Sequence, residues 1–219
     1  MKQSIGSPGQ INTSGMGTTM TTASVAQLLQ ALSEAVGARV ASVDEKRTHQ
    51  KIFQYLPLTA DQSAPPSPRT QPACRNLGRC YVNIDSSGDL RSRAVAETFR
   101  MIETQLNWRN YDATEDSPSL DANYADAILA GPGGLIHTDL IEIGVFVMSP
   151  NTFYPDHHHI ERELYLALSP GKWRQQTNEW IEPGIGNLIY NYPDVIHSMQ
   201  SHGEPMLAIW SVPLNETIH

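Results

Sequence analysis

From residue 121 onward the chain breaks into short runs rich in β-branched and aromatic residues, and this feature limits its fold more than any other. The runs are LIHTDLIEIGVFVMS (135–149), ELYLALS (163–169), GNLIYNY (186–192) and MLAIWSVPL (206–214). PGG, SPN, SPGK, EPG and SHGEP punctuate them. Pro and Gly at those points supply turn geometry and cannot continue a helix or a central strand. Several short strands separated in this way predict a sandwich or barrel.

Upstream the pattern has a helical period. Val25, Leu28, Leu29, Leu32 and Val36 follow the i, i+3, i+4, i+7 spacing, with an N-cap cluster at Thr22 to Ser24 and Gly37 placed to end the helix. A second helix is expected over 46–55. A third is expected over 90–108, with Ala94, Val95, Thr98, Phe99, Ile102 and Leu106 on one stripe. Between them lies LTADQSAPPSPRTQPACRNLG, a Pro- and Ser-rich loop without a core-forming pattern, whose stretch 58–72 is a candidate lid. The expected organisation is a disordered tail or cloning remnant over 1–22, a helical region over 23–120 and a β-barrel over 121–219. The fold class is mainly β with a helical N-terminal extension.

Composition narrows the function. Lys and Arg total 15 against 23 Asp and Glu, a formal net charge of −8. No excess of cations is available to displace counterions from phosphates, so a nucleic-acid partner is not expected. No run approaches the ~20 apolar residues of a membrane helix, and the N-terminus lacks the apolar core of a secretory signal. The expected compartment is the cytoplasm. Cys74 and Cys80, the two cysteines, build neither a disulfide framework nor a zinc ribbon.

The chemistry is concentrated in Tyr154-Pro-Asp-His157-His158-His159-Ile-Glu-Arg-Glu163-Leu-Tyr165. In a strand, residues two apart project to one face, so His157 and His159 are expected together, and likewise Glu163 and Tyr165. A turn that folds Glu163 back brings two imidazoles and a carboxylate within metal-ligand reach, and His197 closes the set from a later strand. Three imidazoles and one carboxylate suit a single divalent transition metal ion: zinc, iron, manganese, nickel or cobalt. His158 is expected to face away. Glu161 shares the parity of Glu163 and competes as the carboxylate, but it falls in the turn. His49, His137, His202 and His219 have no partner spacing.

His157-x-His159-x3-Glu163, seven further residues and then Gly171, with His197 downstream, resembles the two metal-binding motifs of the cupin superfamily. That resemblance implies a double-stranded β-helix, or jelly-roll, barrel. Two positions depart from the pattern: Asn151 and Asp194 stand where cupins usually carry Gly. With Tyr154 and Tyr165 added, the stretch is similar to the cupin-type dimethylsulfoniopropionate lyases, as is the helical extension before the barrel. The resemblance implies a metal-dependent β-elimination that releases dimethyl sulfide and acrylate from the small molecule dimethylsulfoniopropionate. The metal would act as a Lewis acid on the substrate carboxylate. Tyr165 is the candidate base, because a phenolate beside a metal cation is favoured by the opposite charge. Tyr154 is a candidate for substrate positioning or an alternative base. Tyr190, Tyr192 and Trp210 are candidate faces for the sulfonium. A cupin dioxygenase, an isomerase acting on another small carboxylate and a non-enzymatic small-molecule-binding cupin are the competing readings. Cupins commonly dimerise, so a homodimer is compatible with this reading.

Overall fold

The computed structural model describes residues 14–58, 65–110 and 120–214, with side chains described from Thr22. Its helices are α1 (Ser14–Gly37), α2 (Val43–Phe53), α3 (Leu77–Ser87), α4 (Leu90–Arg100) and the single turn α5 (Leu120–Asn123). Its strands are β1 (Tyr124–Ala130), β2 (Ile141–Met148), β3 (Phe153–His157), β4 (Glu163–Ala167), β5 (Lys172–Gln175), β6 (Leu188–Asn191), β7 (His197–Gln200) and β8 (Met206–Pro213).

Val25, Leu28, Leu29, Leu32 and Val36 are all buried, as their spacing requires of an amphipathic helix. The helix itself begins at Ser14 and runs through the Thr22–Ser24 cluster. Hydroxyl residues favour caps but tolerate helix interiors, so such a cluster is a bias and not a stop. α2 starts three residues before the expected Lys46 because Ser42 and Glu45 form a reciprocal capping box. The third helix ends at Arg100 instead of Trp108. A short 3-10 turn follows over Glu103–Gln105, and then Arg109 bridges to Asp126 of β1, which pulls the chain out of helical geometry. Its buried face carries Val95, Ala96 and Phe99, while Ala94 is exposed. The end of the Pro-rich segment is ordered as a 3-10 turn, Pro72–Asn76, leading into α3, with Ala73 and Leu77 in the core. Residues 59–64 of the candidate lid lie outside the described residues, as do 1–13 of the expected tail. Among the described residues no helix is long and apolar enough to cross a membrane.

Successive strands from β2 onward alternate between two antiparallel sheets. One has the order β1-β2-β8-β4-β6 and the other β3-β7-β5. Even-numbered strands in one sheet and odd-numbered strands in the other is the winding of a jelly-roll, the double-stranded β-helix of cupins. β1 is an added edge strand beside β2. The run YADAILA, rich in Ala, carries little β-propensity, and its strand character comes from pairing with β2 and burial on both faces.

The five-stranded sheet is buried on both faces, which is why its strands are almost continuously apolar. Leu164, Leu166, Ile143, Val145, Leu207 and Ile209 face the helices and join Leu28, Leu32, Val95 and Phe99 in one core. Phe146, Met148, Tyr165, Ala167, Met206 and Ala208 face the barrel interior, with Trp173 and Met199 of the smaller sheet. Period-2 alternation therefore sorts each strand into a helix-facing and a cavity-facing set.

Candidate functional site

β3 and β7 carry two of the histidines and pair antiparallel, with Tyr154 opposite Met199 and His157 opposite His197. Three steps along β3 thus match two along β7, a β-bulge, and it contains Pro155, which has no N–H to give to a ladder. The extra residue puts Tyr154 and His157 on the same side, their rings 4.7 Å apart. Simple alternation would have opposed them. His157 Nδ1 lies 3.0 Å from the carbonyl of Pro155 and His197 Nδ1 lies 2.9 Å from that of Val195. A carbonyl only accepts, so both Nδ1 atoms carry the proton and both Nε2 atoms keep a lone pair.

β3 ends at His157, so His159 does not reach the site by strand parity as expected. It comes from the β3–β4 connection, where its carbonyl accepts from the Asp194 amide at 2.9 Å. Its Nε2 stands 3.3 Å from Glu163 Oε2, and His197 Nε2 stands 3.4 Å from the same oxygen. Asn191 donates to that oxygen at 2.8 Å from β6, where it is the register partner of Glu163. His159, Glu163 and His197 each offer a ligand atom, all within 4.8 Å of one another. His157 is not one of that trio, but its ring centroid is 4.0 Å from that of His197. Glu161 Oε2 is 3.4 Å from His159 Nδ1, so the competing carboxylate is also at hand.

The donor set fits a divalent cation. His197 Nε2 and His159 Nδ1 are buried without a hydrogen-bond partner. Glu163 is 3 % exposed and, among the described residues, has only these imidazoles as ion-pair neighbours. Burial works to raise its pKa, but the His159 bond, the two imidazoles and Asn191 outweigh that and hold it below the usual carboxylate value. Burial, with the neighbouring His197, pushes His157 down to about 4, and burial likewise lowers His197. The bond to Glu163 raises His159. A buried carboxylate beside two imidazoles, His157 and His197, held neutral is the protonation state that metal ligation needs, and a cation in the cluster would displace any proton that Glu163 favours on His159. The cupin fold and this cluster are compatible with a metal site.

The cluster opens on a cavity of about 310 Å³, at the small end for ligand sites. Tyr165, two residues beyond Glu163 on the same face of β4, lines it and is 5 % exposed. Tyr154 and Trp210 also line it. Tyr190 does not. It pairs with helix-facing Leu164, packs on the helical core and accepts from Arg162 at 3.1 Å. Tyr192 lies beyond the end of β6, is 43 % exposed and accepts from Gln176 at 2.8 Å. The expected pairing of these two tyrosines on a cavity face is therefore corrected by the register of β6. His158 points outward beside Asp194. His49 packs on Phe53 and bonds to Ser33, and His219 lies outside the described residues. Tyr124, Glu142 and Met199 also line the cavity. None belongs to a motif, and only the pairing of β1, β2 and β7 shows which way they face.

A family model for dimethylsulfoniopropionate lyases matches residues 44–208, most of the chain. A putative dimethylsulfoniopropionate lyase, DddL, of Cereibacter sphaeroides is 28% identical over 162 residues, covering 69% of this chain but only 64% of the relative, under two thirds of its length. A chain from the crystal structures of the lyases RdDddP and RnDddQII superimposes with a TM-score of 0.65 at 18% identity, covering 88% of this chain and 93% of that one. DddQ from Ruegeria pomeroyi DSS-3 gives 0.61 at 19% identity over 89% and 94%. At those identities the two structures speak for the fold alone. With the matched span running from α2 to β8 and enclosing every residue of the cluster, the chain belongs to the dimethylsulfoniopropionate lyase family.

Proposed function

We propose that this protein cleaves dimethylsulfoniopropionate to dimethyl sulfide and acrylate by β-elimination, with one divalent transition metal ion held by His157, His159, Glu163 and His197. The observation that carries this reading is the position of Tyr165, two residues past Glu163 on one strand face, inside a small cavity that Trp210 also lines.

The reaction needs one base. The proton α to the carboxylate leaves to the Tyr165 oxygen, its electron pair becomes the Cα–Cβ double bond, and the Cβ–S bond breaks onto sulfur. A sulfonium departs as a neutral sulfide, so no acid is required at that end. When bound, the metal would supply Lewis acidity toward the substrate carboxylate and a positive field that favours the ionised phenol. Tyr154, its ring tilted 42° against that of Tyr124 with centroids 4.8 Å apart, lines the cavity where it can orient the substrate. The indole of Trp210 offers a face to the sulfonium, a contact of ~0.5–2 kcal/mol.

The test is direct. Purified protein is incubated with dimethylsulfoniopropionate, with and without a chelator and with and without oxygen, and headspace dimethyl sulfide and dissolved acrylate are measured. Equal release of both products, lost with chelator, restored by a divalent metal and indifferent to oxygen, is the expected result. Metal-loaded protein that releases neither product would sink the substrate assignment, and a requirement for oxygen would favour a dioxygenase.

A further inference from the structure

The wall of the cavity beyond Trp210 has an arrangement that proton removal does not use. Trp210 on β8 has Tyr165 of β4 as its register partner on one side and Gly144 of β2 on the other. A Cβ at position 144 would stand 2.1 Å from the indole Cζ2 and 2.5 Å from Cη2, so the ring can lie over β2 only because residue 144 is Gly. The indole Nε1 donates to Glu142 Oε1 at 3.3 Å. Glu142 and Gly144 are two apart on β2 and so share its cavity face, and Glu142 lines the cavity. Among the described residues no Lys or Arg lines it, and none forms an ion pair with Glu142. Its carboxylate therefore faces the cavity with one oxygen engaged by the indole.

We infer that Glu142, together with the Trp210 face it orients, forms a cation-selecting subsite that restricts the cavity to carboxylates bearing an alkylated onium group. This inference rests on the lyase reading above and names its determinant of substrate charge. Distance supports it. Adjacent strands are about 4.8 Å apart. Carboxyl carbon, Cα, Cβ and sulfur are joined by three bonds, a span of roughly 4 Å from standard bond lengths. A substrate with its carboxylate at the β4 cluster thus places its onium centre about one strand away, over Trp210, with Glu142 on the next strand beyond. A neutral alkyl group of the same shape would fill the same space without the charge attraction. Sulfur loses its charge as the C–S bond breaks, so Glu142 holds the substrate more strongly than the transition state, and its influence falls on KM.

The test compares 3-(trimethylammonio)propanoate with 4,4-dimethylpentanoate, an isosteric pair differing by one charge, by calorimetric binding to the metal-loaded wild type and Glu142→Gln. The Gln side-chain oxygen can still accept from the indole, so the wall is retained while the charge is removed. The wild type is expected to prefer the cation by about tenfold or more. In Glu142→Gln that preference should fall to roughly twofold while the affinity for the neutral acid holds. The same preference in both proteins, equal weakening of both ligands, or no binding of the cation would overturn the inference. Dimethyl sulfide release is read separately: a wild type that shows the charge preference but makes no product loses the lyase reading and keeps the subsite.

Discussion

The two faces of the five-stranded sheet are made by the same strands, one residue out of phase, and they differ in what they tolerate. On the helix side Leu164, Leu166, Ile143 and Ile209 meet an apolar layer with essentially no solvent. On the cavity side Glu163, Tyr165, Trp210 and Glu142 replace part of that packing with polar groups around an open space. A buried polar group costs free energy unless it is partnered, so the cavity face is the less stable way to build a sheet. It is affordable because the helix face supplies the apolar burial. Stability and chemistry are divided here by strand parity and not by domain.

The largest expected effect separates the faces most sharply. Tyr165→Phe should lower turnover by about 10²–10⁴, the scale of a lost general base, with metal content and melting temperature close to wild type. Dimethyl sulfide release and metal analysis check it, and normal turnover would remove Tyr165 from its role. One residue along, Leu166→Ala should do the reverse. Truncating a fully buried Leu costs about 2–5 kcal/mol, read by urea unfolding, while the turnover of the molecules that remain folded stays near wild type. If that variant keeps its stability but loses turnover per folded molecule, the division by parity fails.

Smaller effects test the supports. Asp89 caps α4 by accepting from the Ser92 amide at 3.0 Å and pairs with Arg39. Its partial burial works to raise its pKa, but Ser92 and Arg39 outweigh that and hold it below the ordinary value. The stabilisation from a depressed carboxyl is present above the unfolded-state pKa and is lost as pH falls through the folded one. Asp89→Ala should cost about 1 kcal/mol at pH 7, and the gap from wild type should close on acidification below about pH 4. Thermal melts at stepped pH follow this. Smallest is Tyr190→Phe, which removes the hydroxyl that Arg162 reaches on the helix side. A loss of about 1 kcal/mol or less with unchanged KM is expected, and a raised KM would return Tyr190 to the substrate contacts.

Much of the fold could be read from the chain before any coordinates. The spacing of Val25, Leu28, Leu29, Leu32 and Val36 predicts a buried helix face, and the runs carrying β2, β4, β6 and β8 are legible from β-branched residues between Gly and Pro turns. Less was legible where propensity and pairing disagree. β1 is Ala-rich and becomes a strand through β2, and the chain after Arg100 leaves the helix to reach β1.

The amino-acid sequence by itself determined the alternation of each strand and the local chemistry: which residues can ligate, which follow them two apart, and where turns must fall. These depend on covalent geometry and short-range sterics, which act over a few residues. Only the tertiary structure decided which alternation faces the cavity. The bulge at Pro155 brings Tyr154 beside His157, the loop after β3 delivers His159 to Glu163, and the β6 register turns Tyr190 toward the helices. Tyr124 and Glu142 likewise reach the site only through strands paired from elsewhere in the chain. One step of register exchanges the two faces of a strand, and register is set by partners distant in sequence.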